Sequence, residues 1–263
     1  MELGKSRAQF DAGAATHVGN VRQRNEDSYL VRPQAGIWAV ADGMGGHNAG
    51  DFASRTVIEA LNSIEPAASA SDLLAACKEQ IFEANSRLKE AGQEAGSIIG
   101  TTVTILLVFD GFFACLWSGD SRMYVVRDGK ISQISRDHTE VEELLTNGVI
   151  TSEEAKTWSG SNVITRAIGV VDAPELEMTS GTLHPGDVFI MCTDGLTRHV
   201  RDDEILQSAS ASALQEVCDR LITLTLERGA SDNVTVVAVR YQPDAVQEGA
   251  TQPLGAVRPE WRV

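Results

Sequence analysis

The sequence predicts an α+β fold, in which a central antiparallel β-sandwich is flanked by helices on both faces. Strand-like runs follow one another in hairpin-linked groups and helix-like runs come in pairs, whereas a parallel sheet would need strands and helices to alternate. Two hairpins are clearly marked, because Asp110-Gly111 and Asp128-Gly129 each separate two apolar runs. Aspartates also follow several apolar strands directly, so we expect a polar site at one edge of the sandwich.

The elements can be placed along the chain from their apolar spacing and their end signals. The first helix ends before Pro66, which cannot continue it. Ser71-Asp72 is expected to cap the second helix, whose apolar residues share one face. The full prediction is a loose arm over 1–14, strand ends around a charged turn within 16–31, a strand over 37–41, helices over 48–64 and 71–92, strands over 101–109, 112–118, 122–126 and 131–134, a polar helix-prone insert over 137–161, strand character over 163–168, a strand over 187–192, helices over 202–208 and 213–228, and a strand over 233–241.

The domain organisation is expected to be simple. The composition, 43% hydrophobic and 22% charged, is that of an ordinary globular protein with ample core. We expect one domain over 1–241, with the insert over 137–161 as a small subdomain beside the site. Residues 242–263 have no hydrophobic period, so they are expected to form a disordered tail.

Charge and cysteine usage exclude several classes of protein. The formal net charge of −15 argues against binding to nucleic acid or to an anionic membrane. No apolar run approaches the length of a membrane span, about 18 residues, and residues 1–5 lack the apolar core of a secretory signal. The four cysteines include no Cys-x-x-Cys pair, which argues against a zinc ribbon or a disulfide framework. We expect a cytoplasmic protein, and a monomer.

Aspartate-glycine pairs occur four times, and they have two different meanings. Asp110 and Asp128 have strands on both sides, so a hairpin turn explains them. Asp42 ends a buried apolar run, and the glycines that follow leave access to its side chain. Asp194 ends a similar run over 188–192. A carboxylate at the end of a buried strand is costly unless a cation binds it, so Asp42 and Asp194 are assigned to a shared cation site.

Two further acids stand in similar positions. Asp120 follows the apolar run over 112–118, and Asp232 precedes the run over 234–239. Carboxylates that converge at one edge of a sandwich make a hard oxygen site suited to Mg²⁺ or Mn²⁺. Zinc is less favoured, because these motifs contain no histidine or cysteine ligand.

Eight short motifs follow one another along the chain, and each of them alone is a weak signal. They are Arg22-x-x-x-Glu26-Asp27, Asp42-Gly43-Met44-Gly45-Gly46, Gly100-Thr101-Thr102, Ser118-Gly119-Asp120-Ser121-Arg122, Asp137-His138-Thr139, Val163-Ile164-Thr165-Arg166-Ala167-Ile168-Gly169, Thr193-Asp194-Gly195-Leu196 and Ser231-Asp232-Asn233-Val234-Thr235. Together, in this order and spacing, they resemble the bacterial type 2C metal-dependent serine/threonine protein phosphatases. The resemblance covers roughly residues 14–241.

The resemblance implies a sandwich with two Mn²⁺ or Mg²⁺ ions at one edge, and it implies a role for each matched acid. The ions would lower the pKa of a water between them and offset charge on the phosphoryl oxygens. Glu26 and Asp27 would hold waters bound to the ions. The implied metal ligands are Asp42 bridging both ions, the Gly43 carbonyl on one of them, Asp194 and Asp232 on the other, and Asp120 on a third, weaker ion, with Asp194 shared.

The resemblance also implies groups that act on the substrate. Arg22 matches the arginine that grips the phosphate, because a guanidinium fork suits two oxygens; the alternative is a surface salt bridge. Animal members have a histidine, the proposed general acid, where this chain has Met44. His47, three residues on, is the candidate substitute, and protonation by a metal-bound water is the competing account. The insert over 137–161 corresponds to the flap of the family.

Two other interpretations remain at this point. The spacing of Cys192 and Arg198 fits the Cys-x5-Arg loop of cysteine-dependent phosphatases, although Asp194 would then place a carboxylate inside the anion cradle. A pseudophosphatase that binds phosphoproteins without turnover is the non-enzyme alternative, and the presence of every expected acid argues against it. The expected partners are phosphorylated serine/threonine proteins and a cognate serine/threonine kinase.

Overall fold

Two antiparallel sheets form the centre of the protein, whose structure is a computed structural model that describes residues 9–45, 49–155, 158, 160, 163–243 and 261. The strands of the first sheet, in spatial order, are β1 (Gln9–His17), β11 (Val234–Gln242), β10 (Val188–Cys192), β7 (Arg122–Arg127) and β8 (Lys130–Gln133). Those of the second are β2 (Asp27–Arg32), β3 (Ile37–Gly45), β5 (Val103–Phe109), β6 (Phe112–Ser118) and β9 (Glu177–Thr182), and the short β4 (Ile99–Thr101) pairs with β3. Every strand pairing is antiparallel.

Helices cover both outer faces of this sandwich. The second sheet carries α1 (Gly50–Asn62) and α2 (Ala70–Ala95), and the first carries α5 (Asp194–Thr197), α6 (Asp202–Ala209) and α7 (Leu214–Glu227). Two shorter helices, α3 (Glu140–Thr146) and α4 (Ser152–Ala155), lie within residues 137–161, for which an insert was predicted. The predicted α-β-β-α architecture is therefore confirmed.

Strand alternation divides the core into three layers. In β3, Trp38 and Val40 face the other sheet, whereas Ile37 and Ala39 face the helices α1 and α2. Successive strand residues point to opposite faces, so a fully apolar strand supplies two cores at once. This explains why β3 reads as a continuous apolar run that stops only at Asp42.

The two hairpin predictions are confirmed. The β5–β6 and β7–β8 pairs close at Asp110-Gly111 and Asp128-Gly129, where all four residues have positive φ. Positive φ at both central residues defines the turn whose twist matches that of the flanking strands.

Several boundaries differ from the prediction. The arm predicted over 1–14 is wrong from Gln9 onward, because β1 pairs with β11 from Gln9 to His17; residues 1–8 lie outside the described part. The N-cap of α2 is Ser69, whose hydroxyl accepts a hydrogen bond from the Asp72 amide, so the cap predicted at Ser71-Asp72 is wrong. Residues 163–168 form only two isolated bridges instead of a strand. Strand β9 was not predicted.

The C-terminal tail falls almost wholly outside the described residues. Gln242 ends β11 rather than beginning the tail, and Trp261 packs against the core beneath α1 and α2. Among the helices described, none has the length and apolar character needed to cross a membrane.

Candidate metal centre

Carboxylates from separate strands and from the segments next to them meet at one edge of the sandwich, and Asp42 lies inside β3, which continues to Gly45. Asp27, the first residue of β2, lies directly opposite Asp42 in β3. Burial raises the pKa of Asp42 well above its usual range, and the nearby charges of four other acids raise it further. Those acids, in order of decreasing effect, are Asp27, Asp194, Asp120 and Asp232. The structure thus brings together the five aspartates that the sequence predicts.

Asp27 is held in place by two hydroxyl groups. Its Oδ2 accepts hydrogen bonds from Thr193 Oγ1 at 2.8 Å and from Thr235 Oγ1 at 2.7 Å, whereas its Oδ1 is buried without a partner. Burial raises its pKa to about 7, although the two threonines oppose that effect. Asp27 therefore presents one free oxygen at a defined position.

The backbone around Asp42 is fixed by the strand that crosses next to it. The Asp42 carbonyl accepts hydrogen bonds from Thr101 Oγ1 and from the Thr102 amide, both at 2.9 Å. The Asp42 amide donates to Thr102 Oγ1 at 3.1 Å, and that oxygen also bonds the Ser121 hydroxyl. The backbone of Asp42 is thus held at both its amide and its carbonyl.

The chain beside the Gly43 carbonyl is packed so closely that position 50 has no room for a side chain. A Cβ on Gly50 would lie 2.7 Å from Gly43 O and 2.5 Å from Glu26 Oε1. A Cβ on Gly43 would lie 1.9 Å from Gly50 O, so the two segments can approach only as glycines. The carbonyl of Gly43 and the carboxylate of Glu26, both hard oxygen donors, therefore lie together against Gly50.

Asp120 and Asp194 each keep one buried oxygen without a hydrogen bond. Both Oδ1 atoms are unpaired. Burial raises the pKa of Asp120 to about 7, and the charge of Asp194 adds to the effect. His138 holds the adjoining turn, because its Nδ1 accepts from the Gly119 amide at 3.1 Å while its own amide donates to Gly119 O at 3.0 Å. Buried unpaired carboxylate oxygens are the atoms that a cation would satisfy.

Two arginines lie among these acids. Arg22 Nε is 2.9 Å from Asp232 Oδ1, and its Nη2 donates to Asp232 Oδ2 at 2.9 Å. Arg198 donates to Asp232 Oδ2 at 3.2 Å and also pairs with Asp194 Oδ2. The salt bridge that was the alternative for Arg22 is thus formed, and its partner is a predicted metal ligand. Within the described ranges, no three His, Cys, Asp or Glu side chains form a ready-made ligand set for a metal ion.

The cysteine-dependent alternative conflicts with the structure. Cys192 is fully buried, and it packs in the apolar cluster between the first sheet and helix α7. Burial raises the pKa of its thiol to about 12, so the reactive thiolate is not accessible. Arg198, the other member of that motif, is bound to Asp194 and Asp232. His47, the candidate general acid, lies outside the described residues.

Some residues of the site were missed by the sequence analysis. Asn233 binds three residues of the loop between β1 and β2, because its Oδ1 accepts from the Glu26 amide while its Nδ2 donates to the carbonyls of Val18 and Arg24. Thr193 and Thr235 bind Asp27. All three lie inside quoted motifs, so the signal was present without a role attached to it. Gly50 lies outside those motifs, and Arg198 was considered only for the cysteine route.

Comparison with known proteins identifies the family. Residues 16–231 match the family model described as protein phosphatase 2C. The serine/threonine protein phosphatase PstP of Mycobacterium tuberculosis is 39% identical over 93% of this chain. The chain belongs to the protein phosphatase 2C family. It spans about half of that relative, 47% of its length.

Solved structures agree with the fold. PppA, described as a key regulatory component of T6SS in Pseudomonas aeruginosa, has a TM-score of 0.83 and 39% identity, over 88% of this chain and 97% of its own. The catalytic domain of PstP in complex with two manganese ions has a TM-score of 0.78 and 37% identity, over 89% of this chain and 98% of its own. The family is therefore supported by sequence and fold together.

Proposed function

We propose that the protein is a metal-dependent serine/threonine protein phosphatase that hydrolyses phosphoserine and phosphothreonine. One observation carries the proposal: five aspartates from separate segments converge around Asp42, and three of them, Asp27, Asp120 and Asp194, keep a buried oxygen unpaired. Such a cluster is costly without a cation. The two manganese ions of the PstP structure support the same conclusion.

The residues present suit two Mn²⁺ or Mg²⁺ ions. Bound there, such ions activate a water and offset charge on the phosphoryl group. Asp42, the Gly43 carbonyl, Asp194 and Asp232 are the proposed ligands, and Asp120 is the proposed ligand of a third ion. Glu26 and Asp27 would orient water at the centre, since the Glu26 carboxylate lies against Gly50 and Asp27 keeps one oxygen unpaired.

Arg22 is proposed to bind the phosphate of the substrate. Its side chain is 51% exposed and already lies at the acidic edge through Asp232. A guanidinium can exchange a carboxylate for two phosphate oxygens, because both offer the same paired geometry. Proton donation to the leaving serine or threonine oxygen is assigned to His47 or to a water held by the acids.

Two Asp-Gly pairs provide a matched test. We expect Mn²⁺-dependent hydrolysis of p-nitrophenyl phosphate and of a phosphothreonine peptide by the wild type. Asp42→Asn should lower kcat/KM by about a thousandfold or more, because several kcal/mol of charge stabilisation are lost. Asp128→Asn, at a hairpin turn that tolerates asparagine, should retain activity.

The same assay separates the alternatives. Activity that is abolished by EDTA and kept in Cys192→Ala supports the metal route. Binding of the phosphopeptide without turnover, with Mn²⁺ supplied, would contradict the proposal and indicate a pseudophosphatase.

The proposed partners follow from the proposed chemistry. Phosphorylated proteins are the substrates, and a cognate serine/threonine kinase supplies them. A monomeric, cytoplasmic enzyme is proposed, and the four buried free cysteines suit a reducing compartment. Phosphoproteomes with and without the protein would identify the substrates, and light scattering would measure the mass.

A further inference from the structure

Arg198 occupies an unusual place for a cation. It follows the one-turn helix α5 directly, and its amide donates to the Asp194 carbonyl at 3.0 Å, so its backbone is fixed beside that acid. Its guanidinium reaches two of the proposed metal ligands, with one Nη on Asp194 Oδ2 and the other on Asp232 Oδ2. The side chain is only 32% exposed.

The arginine pairs leave few oxygens free on these two ligands. Arg22 and Arg198 together contact both oxygens of Asp232. Arg198 contacts one oxygen of Asp194, whose other oxygen is buried and unpaired. A divalent cation bound through both carboxylates would therefore lie next to the guanidinium of Arg198, and like charges at such distances repel.

We propose that Arg198 is a built-in counter-ion of the metal centre that competes with a divalent cation for Asp194 and Asp232. The inference rests on the proposed metal-dependent function. Arg198 stabilises the metal-free fold by offsetting carboxylate repulsion, and metal binding requires its guanidinium to leave these acids. Because its backbone is held at the end of α5, the displaced guanidinium stays near the site.

The two arginines have different positions for this role. Arg22 is more exposed and contacts Asp232 alone, whereas Arg198 bridges two acids from different strand ends. Removal of a bridging cation frees two carboxylates at once. The metal affinity is therefore more sensitive to Arg198 than to any arginine that does not contact the five aspartates.

The test measures Mn²⁺ binding directly, by calorimetry on the metal-stripped full chain. We expect Arg198→Gln to lower the Kd for Mn²⁺ by about three- to tenfold, the size of a partly exposed ion pair. Arg198→Lys keeps the charge but loses the fork, so its Kd should lie between the two. The control is Arg201→Gln, since Arg201 pairs with Asp203 at the exposed start of α6; its Kd should equal that of the wild type.

Thermal unfolding provides a second readout. Without metal, Arg198→Gln should unfold at a lower temperature than the wild type, and saturating Mn²⁺ should raise its midpoint by more degrees than it raises that of the wild type. A Kd for Arg198→Gln that is equal to or higher than the wild-type value would overturn the proposed role of Arg198 as a counter-ion. If the wild type bound no Mn²⁺, or if Asp42→Asn bound Mn²⁺ as tightly as the wild type, the result would contradict the metal-dependent function instead.

Discussion

Asp27 shows how a single carboxylate is kept at a defined position inside the protein. Its side chain is almost fully buried, and its two hydrogen bonds come from Thr193, directly after β10, and from Thr235 in β11, both on the opposite sheet. Burial of a carboxylate is unfavourable unless hydrogen bonds or charges compensate it. The two hydroxyls compensate one oxygen and leave the other for the site.

Replacing one of these hydroxyls should be costly. Thr235→Val keeps the shape of the side chain but removes a donor to the buried Asp27 carboxylate. We expect a loss of about 1–3 kcal/mol in the free energy of unfolding, measured in urea on the metal-free protein. Thr223→Val is the matched control, because that hydroxyl is exposed on α7 and donates to a helix carbonyl; a change beyond about 0.5 kcal/mol there would be unexpected. Equal losses in both variants would contradict the role of Thr235.

Gly50 tests the close packing beside the Gly43 carbonyl. In Gly50→Ala, the new methyl group meets Gly43 O and Glu26, so we expect about tenfold weaker Mn²⁺ binding by calorimetry, although no ligand is removed. Gly92→Ala, in α2, is the control. Its Cβ would lie at a similar distance, 2.8 Å, from the backbone carbonyl oxygen of Ser97. That variant should lose stability and keep its metal affinity. Unchanged Mn²⁺ affinity in Gly50→Ala would show that the Gly43 carbonyl and Glu26, which lie against Gly50, are not part of the metal site.

At the scale of elements, local signals were sufficient wherever one element determines its own ends. The Asp-Gly turns, the apolar strands and the helix-prone character of 137–161 were predicted because turn residues and spacing are local. Strand β1 and strand β9 were missed, because their sequences are small and polar and only their partners make them strands. The Thr193–Asp27 contact joins residues 166 positions apart, so no spacing rule could reveal it.

The corrected cap of α2 can be tested on stability alone. Ser69→Ala removes the acceptor for the Asp72 amide, so we expect a loss of about 1 kcal/mol in the free energy of unfolding. Ser69→Asp should restore the cap and most of the stability, since aspartate is an equally good N-cap. Activity and metal affinity should stay unchanged, because α2 supplies none of the five aspartates. An unchanged free energy of unfolding in Ser69→Ala would show that Ser69 is not the stabilising N-cap of α2.

At the scale of the whole molecule, the apolar core of the sandwich stabilises an acidic edge. Three apolar layers fix the positions of the strands. The fixed strands keep together carboxylates that would otherwise repel one another. The motifs predicted these acids because each one ends or begins an apolar run. They could not predict the competing arginine pairs, which depend on how α5 is placed against β11.

This arrangement gives the metal-free protein an uncommon pH dependence. The pKa values of Asp27 and Asp120 rise from 3.8 to about 7 in the folded state, chiefly through burial. A raised acid pKa contributes stability that is complete below about pH 3.8 and is lost as the pH rises through about 7. With EDTA present, we therefore expect the free energy of unfolding to fall between pH 5.5 and 7.5, by about 2 kcal/mol for one such group.

Saturating Mn²⁺ should remove the slope. Metal binds the ionised acids and displaces their protons, so the folded and unfolded states then carry about the same number of protons, and stability should change little from pH 5.5 to 7.5 when the ion is present. Urea unfolding at both pH values, with and without Mn²⁺, measures the two slopes. In Asp120→Asn, one of the raised carboxyls is absent, so the metal-free slope should become smaller. A metal-free protein whose stability does not fall over this range would contradict the raised pKa values. It would show that the buried acids are already ionised at pH 5.5 and are balanced by Arg22 and Arg198.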